Sequence, residues 1–338
     1  MDTMRLPAMI AITIALAALV MASGCVFNVD DFTTDVVKVN RNENTGVKDV
    51  LAIEKIETIP RSSIYPDMDI LLFFNIVNLD DTENVNNLFV ELFNPFIFKS
   101  KTKIYCSDSK DACLSDECNY KVLPPCTILP LGVQPIRFEL KAPSNDEIAG
   151  IRTAGELQFR VLYDFSSSYN YQVLVVHMDE ILKMQVANKK IEKTLASSRS
   201  GGPVQIYAEM RGRDFMVEGY DAAIIFTIKD AGSTGNLKKA EINIGDFVVI
   251  FPSTVVVDTS NLGDNLKDIF NCYKEGSEIR CINENKEIKL YGGESSPLIF
   301  NIKSVKGSGG SMATYLIKAR ASYTYEIRDK AEITIVAQ

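Results

Sequence analysis

The stretch "RVLYDFSSSYNYQVLVV", residues 160–176, recurs as "RASYTYEIRDKAEITIV", residues 320–336, and the two align without a gap. Arg160 matches Arg320 and Tyr163 matches Tyr323, at an offset of 160 residues. Apolar residues also match near the end of each stretch: Val173, Val175 and Val176 against Ile333, Ile335 and Val336. The repeat predicts a structural unit that is duplicated along the chain.

A second pair of matching stretches lies upstream, in the same order. "PIRFELK", residues 135–141, matches "PLIFNIK", residues 297–303. In the first stretch apolar residues alternate with charged ones: Ile136, Phe138 and Leu140 against Arg137, Glu139 and Lys141. Leu298, Phe300 and Ile302 fall at the same phase of the second stretch. This alternation is typical of a half-buried β-strand.

Short apolar runs separated by polar turns fill both copies, for example "DILLFFNIV", "LFVELF", "LQFRVLYDF" and "YQVLVV". Such runs predict an all-β fold of the sandwich type. The chain shows no strand–helix–strand alternation with glycine-rich turns, which disfavours a doubly wound α/β fold. We therefore expect two tandem immunoglobulin-like β-sandwich domains that arose by internal duplication, each of about 140 residues, a typical domain size.

The expected organisation follows from these offsets and from changes in composition. It comprises a signal peptide over residues 1–24, a polar tether over 25–47, domain 1 over 48–178, a helical and flexible linker over 179–203, and domain 2 over 204–338. Apolar residues three to four apart predict an amphipathic helix over 179–195. Serine, glycine and proline predict a flexible joint over 197–203.

The amino-terminal segment is apolar from Leu6 to Val20 and follows Arg5. The run is short for a membrane span and is typical of a secretory signal. "ASGC", which ends at Cys25, resembles the lipobox of lipoprotein signal peptides. The resemblance implies cleavage before Cys25 and a lipid on its thiol. An uncleaved signal-anchor helix and plain secretion are the alternatives, and all three place the rest of the chain outside the cytoplasm.

Six cysteines remain if Cys25 carries a lipid: Cys106, Cys113, Cys118, Cys126, Cys272 and Cys281. An even number in an extracytoplasmic protein favours disulfides. The first four lie in one polar loop and the last two bracket another, so we expect local bridges that staple loops. If Cys272 pairs with Cys281, three connectivities remain open for the other four. A metal site made of the first four is the alternative, although their spacing does not match paired zinc knuckles.

Net charge and the histidine count limit the chemistry. The net charge is −8, which disfavours nonspecific binding to nucleic acid. His177 is the single histidine, so catalytic zinc sets that need several histidines are excluded. No catalytic, metal-binding or cofactor-binding motif stands out, so we expect that the protein is not an enzyme. A hydrolase that uses two carboxylates is the remaining catalytic alternative.

Phe96, Ile97 and Phe98 form the most apolar candidate for an exposed interaction edge. A similar stretch, "GDFVVIF", lies at about the same place in the second copy. Because it recurs, we expect this segment to belong to the core, and an exposed docking edge is the alternative.

The strand pattern "ILLFFNIVN…NLFVEL" and its second copy "AAIIFTIKD…NLKKAEI" resemble tandem immunoglobulin-like modules of prokaryotic surface proteins, the CARDB-like domains. The resemblance implies a spacer, adhesion or envelope-associated role. We therefore expect a noncatalytic, membrane-anchored protein at the cell surface that binds or positions another envelope or surface component. A solute- or glycan-binding lipoprotein is the alternative, and it predicts a concave pocket with convergent polar and aromatic groups.

Overall fold

The computed structural model describes residues 49–61, 63–100, 121–122, 127–191, 197–258, 264–305 and 310–336. All of them lie in the compact unit Glu43–Gln338. The predictions for Cys25, for the signal peptide and for the whole tether 25–47 fall outside the described residues. So do Cys106, Cys113, Cys118 and Cys126.

Seven strands precede the helix. They are β1 (Leu51–Ile59), β2 (Asp69–Asn78), β3 (Asn86–Asn94), β4 (Lys99–Ser100), β5 (Lys121–Val122), β6 (Val133–Lys141) and β7 (Thr153–Val176). Strand β6 contains the predicted alternation: Ile136, Phe138 and Leu140 are buried, and Arg137 and Glu139 between them are exposed. The prediction of a half-buried strand here is confirmed.

Helix α1 (Met178–Val186) follows β7 at once. His177 caps it, because its Nδ1 atom accepts a hydrogen bond from the Asp179 backbone N–H at 3.3 Å. The helix is shorter than the predicted 179–195, and Asn188 beyond it has a φ of 52°. Asparagine tolerates this left-handed conformation, which ends helices. None of the helical residues is buried.

Fourteen strands, one short α-helix and a 3₁₀ helix over Lys238–Ala240 follow; the strands and the α-helix are numbered in chain order. They are β8 (Ser197–Arg199), β9 (Val204–Met210), β10 (Met216–Val217), β11 (Asp221–Asp230), β12 (Gly235–Leu237), β13 (Glu241–Ile242), β14 (Phe247–Pro252), β15 (Val255–Val257), α2 (Asp264–Lys267), β16 (Asn271–Glu275), β17 (Glu278–Ile282), β18 (Ile288–Tyr291), β19 (Glu294–Ser295), β20 (Leu298–Ser304) and β21 (Met312–Ile335). The predicted strand in β20 is confirmed, with Leu298, Phe300 and Ile302 buried.

The strands form three sheets. The first has the order β1-β2-β6-β4, and the third has the order β13-β18-β19-β11-β20-β15 with β9 beside β11. The central sheet has ten strands in the order β16-β17-β14-β21-β7-β3-β5, with β8 and β10 beside β7 and β12 beside β21. The architecture is all-β and sandwich-like, as the sequence predicts.

Strands β7 and β21 pair in antiparallel fashion over 24 residues each, from Thr153↔Ile335 to Val176↔Met312. The sequence instead predicts two strands in the first copy, separated by the polar residues 166–168. The prediction of a break is wrong because these serines bond across the strand pair. Ser166 Oγ lies 2.9 Å from Ser322 Oγ, and Ser167 Oγ lies 2.9 Å from the Tyr323 hydroxyl.

The core fills the space between the central sheet and the two smaller sheets. In the first half Phe74 of β2 stacks on Phe159 of β7, with ring centroids 4.1 Å apart. In the second half Phe300 of β20 contacts Phe226 and Phe251, at 5.8 and 5.6 Å between centroids. Large aromatic side chains bury much apolar area, which is the main stabilising contribution on both sides.

Strands from both predicted domains enter the central sheet. Residues 48–178 and 204–338 therefore share a sheet, and their connection is not limited to the linker 179–203. That each half forms a separate domain remains a prediction. That the two halves arose by internal duplication also remains a prediction. Within the part of the chain described above, no helix has the length and apolar character to span a bilayer.

Candidate functional site

The two faces of the central strand pair differ in chemistry. Side chains alternate between the faces of a strand. Tyr163 and Phe165 of β7 are buried in the core, whereas Asp164 and Ser166 point to the opposite, outer face and are half-buried. Strand β21 shows the same alternation, with Tyr323 buried and Thr324 half-buried. The outer face of the sheet is therefore polar.

A cleft of about 440 Å³ lies over the middle of this outer face. Its floor carries five polar side chains: Asp164, Ser166, Arg320, Ser322 and Thr324. One wall is the segment that leads into β3, with Glu83 and Asn84, together with the first residues of β3, Asn86 and Asn87. The other wall is the turn before β14, with Asn243 and Asp246.

A buried asparagine at the end of β2 holds the first wall. Asn78 Nδ2 donates to the carbonyl oxygens of Glu83, Ile128 and Leu129, at 2.9, 3.3 and 3.1 Å. Asn78 Oδ1 accepts from the backbone N–H of Asp80 at 3.0 Å. Because the side chain is fully buried, these bonds replace water and fix the loop that leads into the cleft.

A second buried asparagine holds the opposite wall. Asn283, also fully buried, accepts from the Phe247 N–H at 2.8 Å through Oδ1. Its Nδ2 donates to the carbonyl oxygens of Asn243 and Lys286, at 2.7 and 3.2 Å. Each wall thus rests on an amide whose hydrogen-bonding groups are used within the protein, so the cleft is preformed.

Asp164 is the centre of the floor. Its Oδ1 atom accepts from Thr324 Oγ1 at 2.7 Å, and its Oδ2 atom accepts from Asn87 Nδ2 at 2.8 Å. Asn87 has a φ of 52°, which asparagine adopts more readily than most residues and which aims its amide across the cleft. Both carboxylate oxygens are therefore occupied, and the aspartate joins the first wall to the central strands.

Tyrosines lie beneath the floor. The ring centroids of Tyr163 and Tyr325 are 5.8 Å apart, and those of Tyr323 and Tyr325 are 6.4 Å apart. The Tyr325 hydroxyl donates to Asp230 Oδ1 at 3.1 Å, whereas the buried Tyr163 hydroxyl has no hydrogen-bond partner within the described ranges. Burial raises the pKa of all three hydroxyls well above the ordinary value.

The cleft can bind a polar ligand. Its surface offers hydroxyl and amide groups, carboxylates at Glu83, Asp164 and Asp246, and one guanidinium at Arg320. The aromatic residues that border it, Phe165 and Tyr323, are only 5% and 3% exposed, so they present no ring for stacking. The arrangement therefore favours hydrogen bonding over apolar contact.

The sequence-predicted residues that the structure describes are not among those lining this cleft. Cys272 and Cys281 are opposite each other in β16 and β17 and form a disulfide, which confirms that pairing. Phe98 is buried at 3% exposure, and Ile97 is 36% exposed. Phe96 packs partly on the core with its ring against Gly155. Phe98 thus belongs to the core and cannot contribute to an exposed edge.

His177 lies at the start of α1, away from the cleft lining, with Nε2 3.5 Å from Glu218 Oε2. Across the described part of the chain, no group of three or more histidine, cysteine, aspartate or glutamate side chains is placed to hold a metal ion.

Sequence reasoning missed the cleft because its residues come from four separated segments. One signal was present: "YDFS" and "SYTYE" place polar residues between aromatic ones, at the centre of the repeat. That alternation marks a polar face on a strand. It does not reveal which loops wall the face.

Comparisons with known proteins do not assign a family. No family model matches the chain, and no curated protein matches it. Among solved structures, the carbohydrate-binding module CBM3b of cellobiohydrolase 9A from Clostridium thermocellum is 12% identical, with 32% of this chain and 75% of that chain covered and a TM-score of 0.20. The C-terminal globular domain of an oligosaccharyltransferase from Pyrococcus abyssi is 11% identical, with 86% and 50% covered and a TM-score of 0.23.

The N-terminal region of an enterococcal surface protein is 7% identical, with 83% of this chain and 86% of that chain covered and a TM-score of 0.20. Identities and TM-scores at this level carry no argument about function. The functional argument therefore rests on the cleft.

Proposed function

We propose that this protein is a noncatalytic binding protein on the outer side of the membrane, tethered through Cys25, which recognises another component of the cell envelope through the cleft on its central sheet. The observation that carries the proposal is the convergence of hydroxyl and amide groups on the cleft, above a filled aromatic core. A pure spacer has no need of such a preformed polar surface.

The hydrogen bonds made by the residues on the floor of the cleft support the noncatalytic part of the proposal. Asp164 is the central carboxylate, and both of its oxygens accept hydrogen bonds from neighbouring side chains. The single histidine caps helix α1 and does not line the cleft. These residues are arranged to hold the surface rigid, which suits recognition.

The glycan-binding alternative is favoured by the same lining. Hydroxyl-rich chains are recognised by side chains that both donate and accept hydrogen bonds, and asparagine, serine and threonine do both. Four asparagines, at 84, 86, 87 and 243, border the cleft. The envelope component that we propose as ligand is therefore a hydroxyl-rich polymer, and a folded protein partner is an outcome that the test distinguishes.

Co-sedimentation tests the proposal. The full mature protein in lipid nanodiscs is mixed with insoluble envelope polysaccharide, prepared from the native cells by protease digestion and detergent washing. Ser322→Trp fills the floor of the cleft. Thr314→Trp is the matched control, since Thr314 is also a hydroxyl residue on the outer face of β21 but lies outside the cleft.

We expect the wild-type protein and the control to sediment with the polysaccharide, and Ser322→Trp to bind at least about tenfold less tightly, a loss of roughly 1.4 kcal/mol. Equal binding by Ser322→Trp, or binding only to material that was not treated with protease, contradicts the proposal. Shortening of the polysaccharide during incubation contradicts its noncatalytic part.

A further inference from the structure

Two arginines occupy matched positions in the repeat but have different surroundings. Arg160 of β7 and Arg320 of β21 are the first residues of the two repeated stretches, and both lie on the outer face of the central sheet. Residues at matched positions of a two-fold repeat are expected to make the same contacts. Where the contacts differ, the difference shows what each copy has specialised for.

Carboxylates neutralise Arg160. Its Nε donates to Glu91 Oε2 at 2.7 Å, and its Nη2 lies 2.5 Å from the same oxygen. Its Nη1 lies 3.8 Å from Glu326 Oε1. Glu91 is the residue opposite Arg160 on β3, and Glu326 lies diagonally across on β21.

Neither carboxylate has a counterpart at Arg320. Val248 is the residue opposite Arg320 on β14, in the place of Glu91. Ser166 is the residue of β7 that matches Glu326 of β21 in the repeat, and its Oγ accepts from Arg320 Nη2 at 3.3 Å. The exposed guanidinium of Arg320 lines the cleft. Among the described residues, no carboxylate lies within ion-pair distance of it, in contrast to Arg160.

A second cation lies next to Arg320, just outside the cleft lining. Lys318 lies two residues before Arg320 and hence on the same outer face, opposite Asn170 of β7. It is exposed, and it too has no ion-pair partner in the described ranges. Arg320 and Lys318, with the hydroxyl of Ser166, therefore present donors and positive charge without an internal counter-charge.

We infer that Arg320 and Lys318 form a subsite for an oxyanion (a carboxylate, sulfate or phosphate) carried by the ligand of the cleft. Guanidinium binds such groups with two parallel hydrogen bonds. The inference rests on the proposed function and names the chemistry of the ligand. The carboxylates of Glu83, Asp164 and Asp246 elsewhere in the cleft repel a densely charged polymer. The ligand is thus a mostly neutral, hydroxyl-rich chain with widely spaced oxyanions.

Calorimetry with defined probes tests the subsite. The probes are a hyaluronan hexasaccharide, which carries a carboxylate on every second sugar, its carboxyl-reduced neutral form, and an oligomer of glycerol phosphate. The variants are Arg320→Gln, Arg320→Lys and Lys318→Gln in the full mature protein in nanodiscs. Arg160→Gln is the matched control, because Arg160 already has its carboxylate partners within the protein.

We expect Arg320→Gln to bind the charged probe about tenfold less tightly, as for loss of a hydrogen bond to a charged group. The affinities of Arg320→Lys and Lys318→Gln for the charged probe should lie between those of Arg320→Gln and the wild type, since each variant keeps part of the positive charge or of the hydrogen bonding. Arg160→Gln should bind as the wild type does, and the wild-type affinity should fall as ionic strength rises. The probe for which Arg320→Gln loses affinity, uronate or glycerol phosphate, identifies the source of the oxyanion.

Equal affinity of wild type and Arg320→Gln for both charged probes overturns the subsite. If Ser322→Trp still abolishes binding of envelope polysaccharide in that case, the proposed function stands without it. If the wild type binds no polysaccharide at all, the proposed function fails and the subsite fails with it. Thermal unfolding of each variant, followed by circular dichroism, verifies that a loss of affinity is not a loss of fold.

Discussion

Asp164 and Thr324 face each other at the centre of the β7–β21 pair, and they are also matched residues of the sequence repeat. Thr324 Oγ1 donates to Asp164 Oδ1 at 2.7 Å. On either side of them Tyr163 faces Tyr325 and Phe165 faces Tyr323. A local two-fold axis between Asp164 and Thr324 therefore relates the matched residues of β7 and β21.

The hydrogen bond at this axis should stabilise the strand pair. Thr324→Val removes the hydroxyl donor and keeps the β-branched shape, so we expect the free energy of unfolding to fall by about 1.5–3 kcal/mol, the range for a hydrogen bond to a charged group. Urea denaturation measures the change. Thr324→Ser keeps the hydroxyl, so its free energy of unfolding should fall less than that of Thr324→Val. Equal stability of Thr324→Val and wild type would show that the bond contributes nothing.

Asn283 should be required for the second wall of the cleft. Asn283→Ala leaves the Phe247 N–H and two carbonyl oxygens without their partner in a fully buried place, and we expect a loss of about 3 kcal/mol. Asn243→Ala is the control, because Asn243 is exposed and, within the described residues, its side chain bonds only to Asp246 Oδ2, at 3.2 Å. Similar losses in the two variants, measured by denaturant unfolding, would refute the assignment.

The tyrosines beneath the floor should make the protein sensitive to alkali. Burial raises the pKa of Tyr163, Tyr323 and Tyr325 above the unfolded value of about 10. A group whose pKa is raised in the folded state contributes stability that is present below the unfolded pKa and is lost above it. Stability should therefore be insensitive to these groups below about pH 10 and should fall beyond it.

Ultraviolet absorbance of tyrosinate and circular dichroism, recorded in the same alkaline titration, check this expectation. The buried tyrosines should ionise together with loss of structure. Ionisation of every tyrosine while the circular dichroism signal remains native is the contrary result. Tyr163→Phe is an informative variant, since its hydroxyl is buried without a hydrogen-bond partner in the described residues and its removal should not destabilise.

Gly155 and Phe96 should be energetically coupled. A Cβ atom on Gly155 would lie 2.5 Å from the Phe96 ring, so Gly155→Ala should destabilise by about 1–3 kcal/mol through overpacking. Phe96→Ala removes the ring, and in that background Gly155→Ala should cost much less. The difference is the coupling energy of a double-mutant cycle, measured by thermal unfolding. Additive effects of the two substitutions would contradict the contact.

Local patterns were enough to predict some of the strands. In residues 135–141 and 297–303 the alternation of side chains identifies both the strand and its buried face, because a half-buried strand must repeat every two residues. The pairing of Cys272 with Cys281 was also among the expected local bridges, since both lie in one short loop region. The helix after His177 was predicted but too long, because Asn188 leaves the helical conformation.

Pairing between distant segments was not predictable in the same way. "SSS" at residues 166–168 resembles a turn locally, and it stays extended only because β21 supplies hydroxyl partners 156 residues away. The contrast between Arg160 and Arg320 is visible only once the register places Glu91 opposite one and Val248 opposite the other.

Short stretches of sequence are enough to establish the all-β class, the strand faces and the repeat, because these depend on local hydrophobic periodicity and on direct residue matches. The sheet that both halves share and the polar cleft across its centre are visible only in the folded chain, because they depend on pairing between distant strands. The walls of the cleft, which lead into β3 and β14, are far apart in sequence. Long-range strand pairing brings them together, and the buried amides of Asn78 and Asn283 each fix one of them.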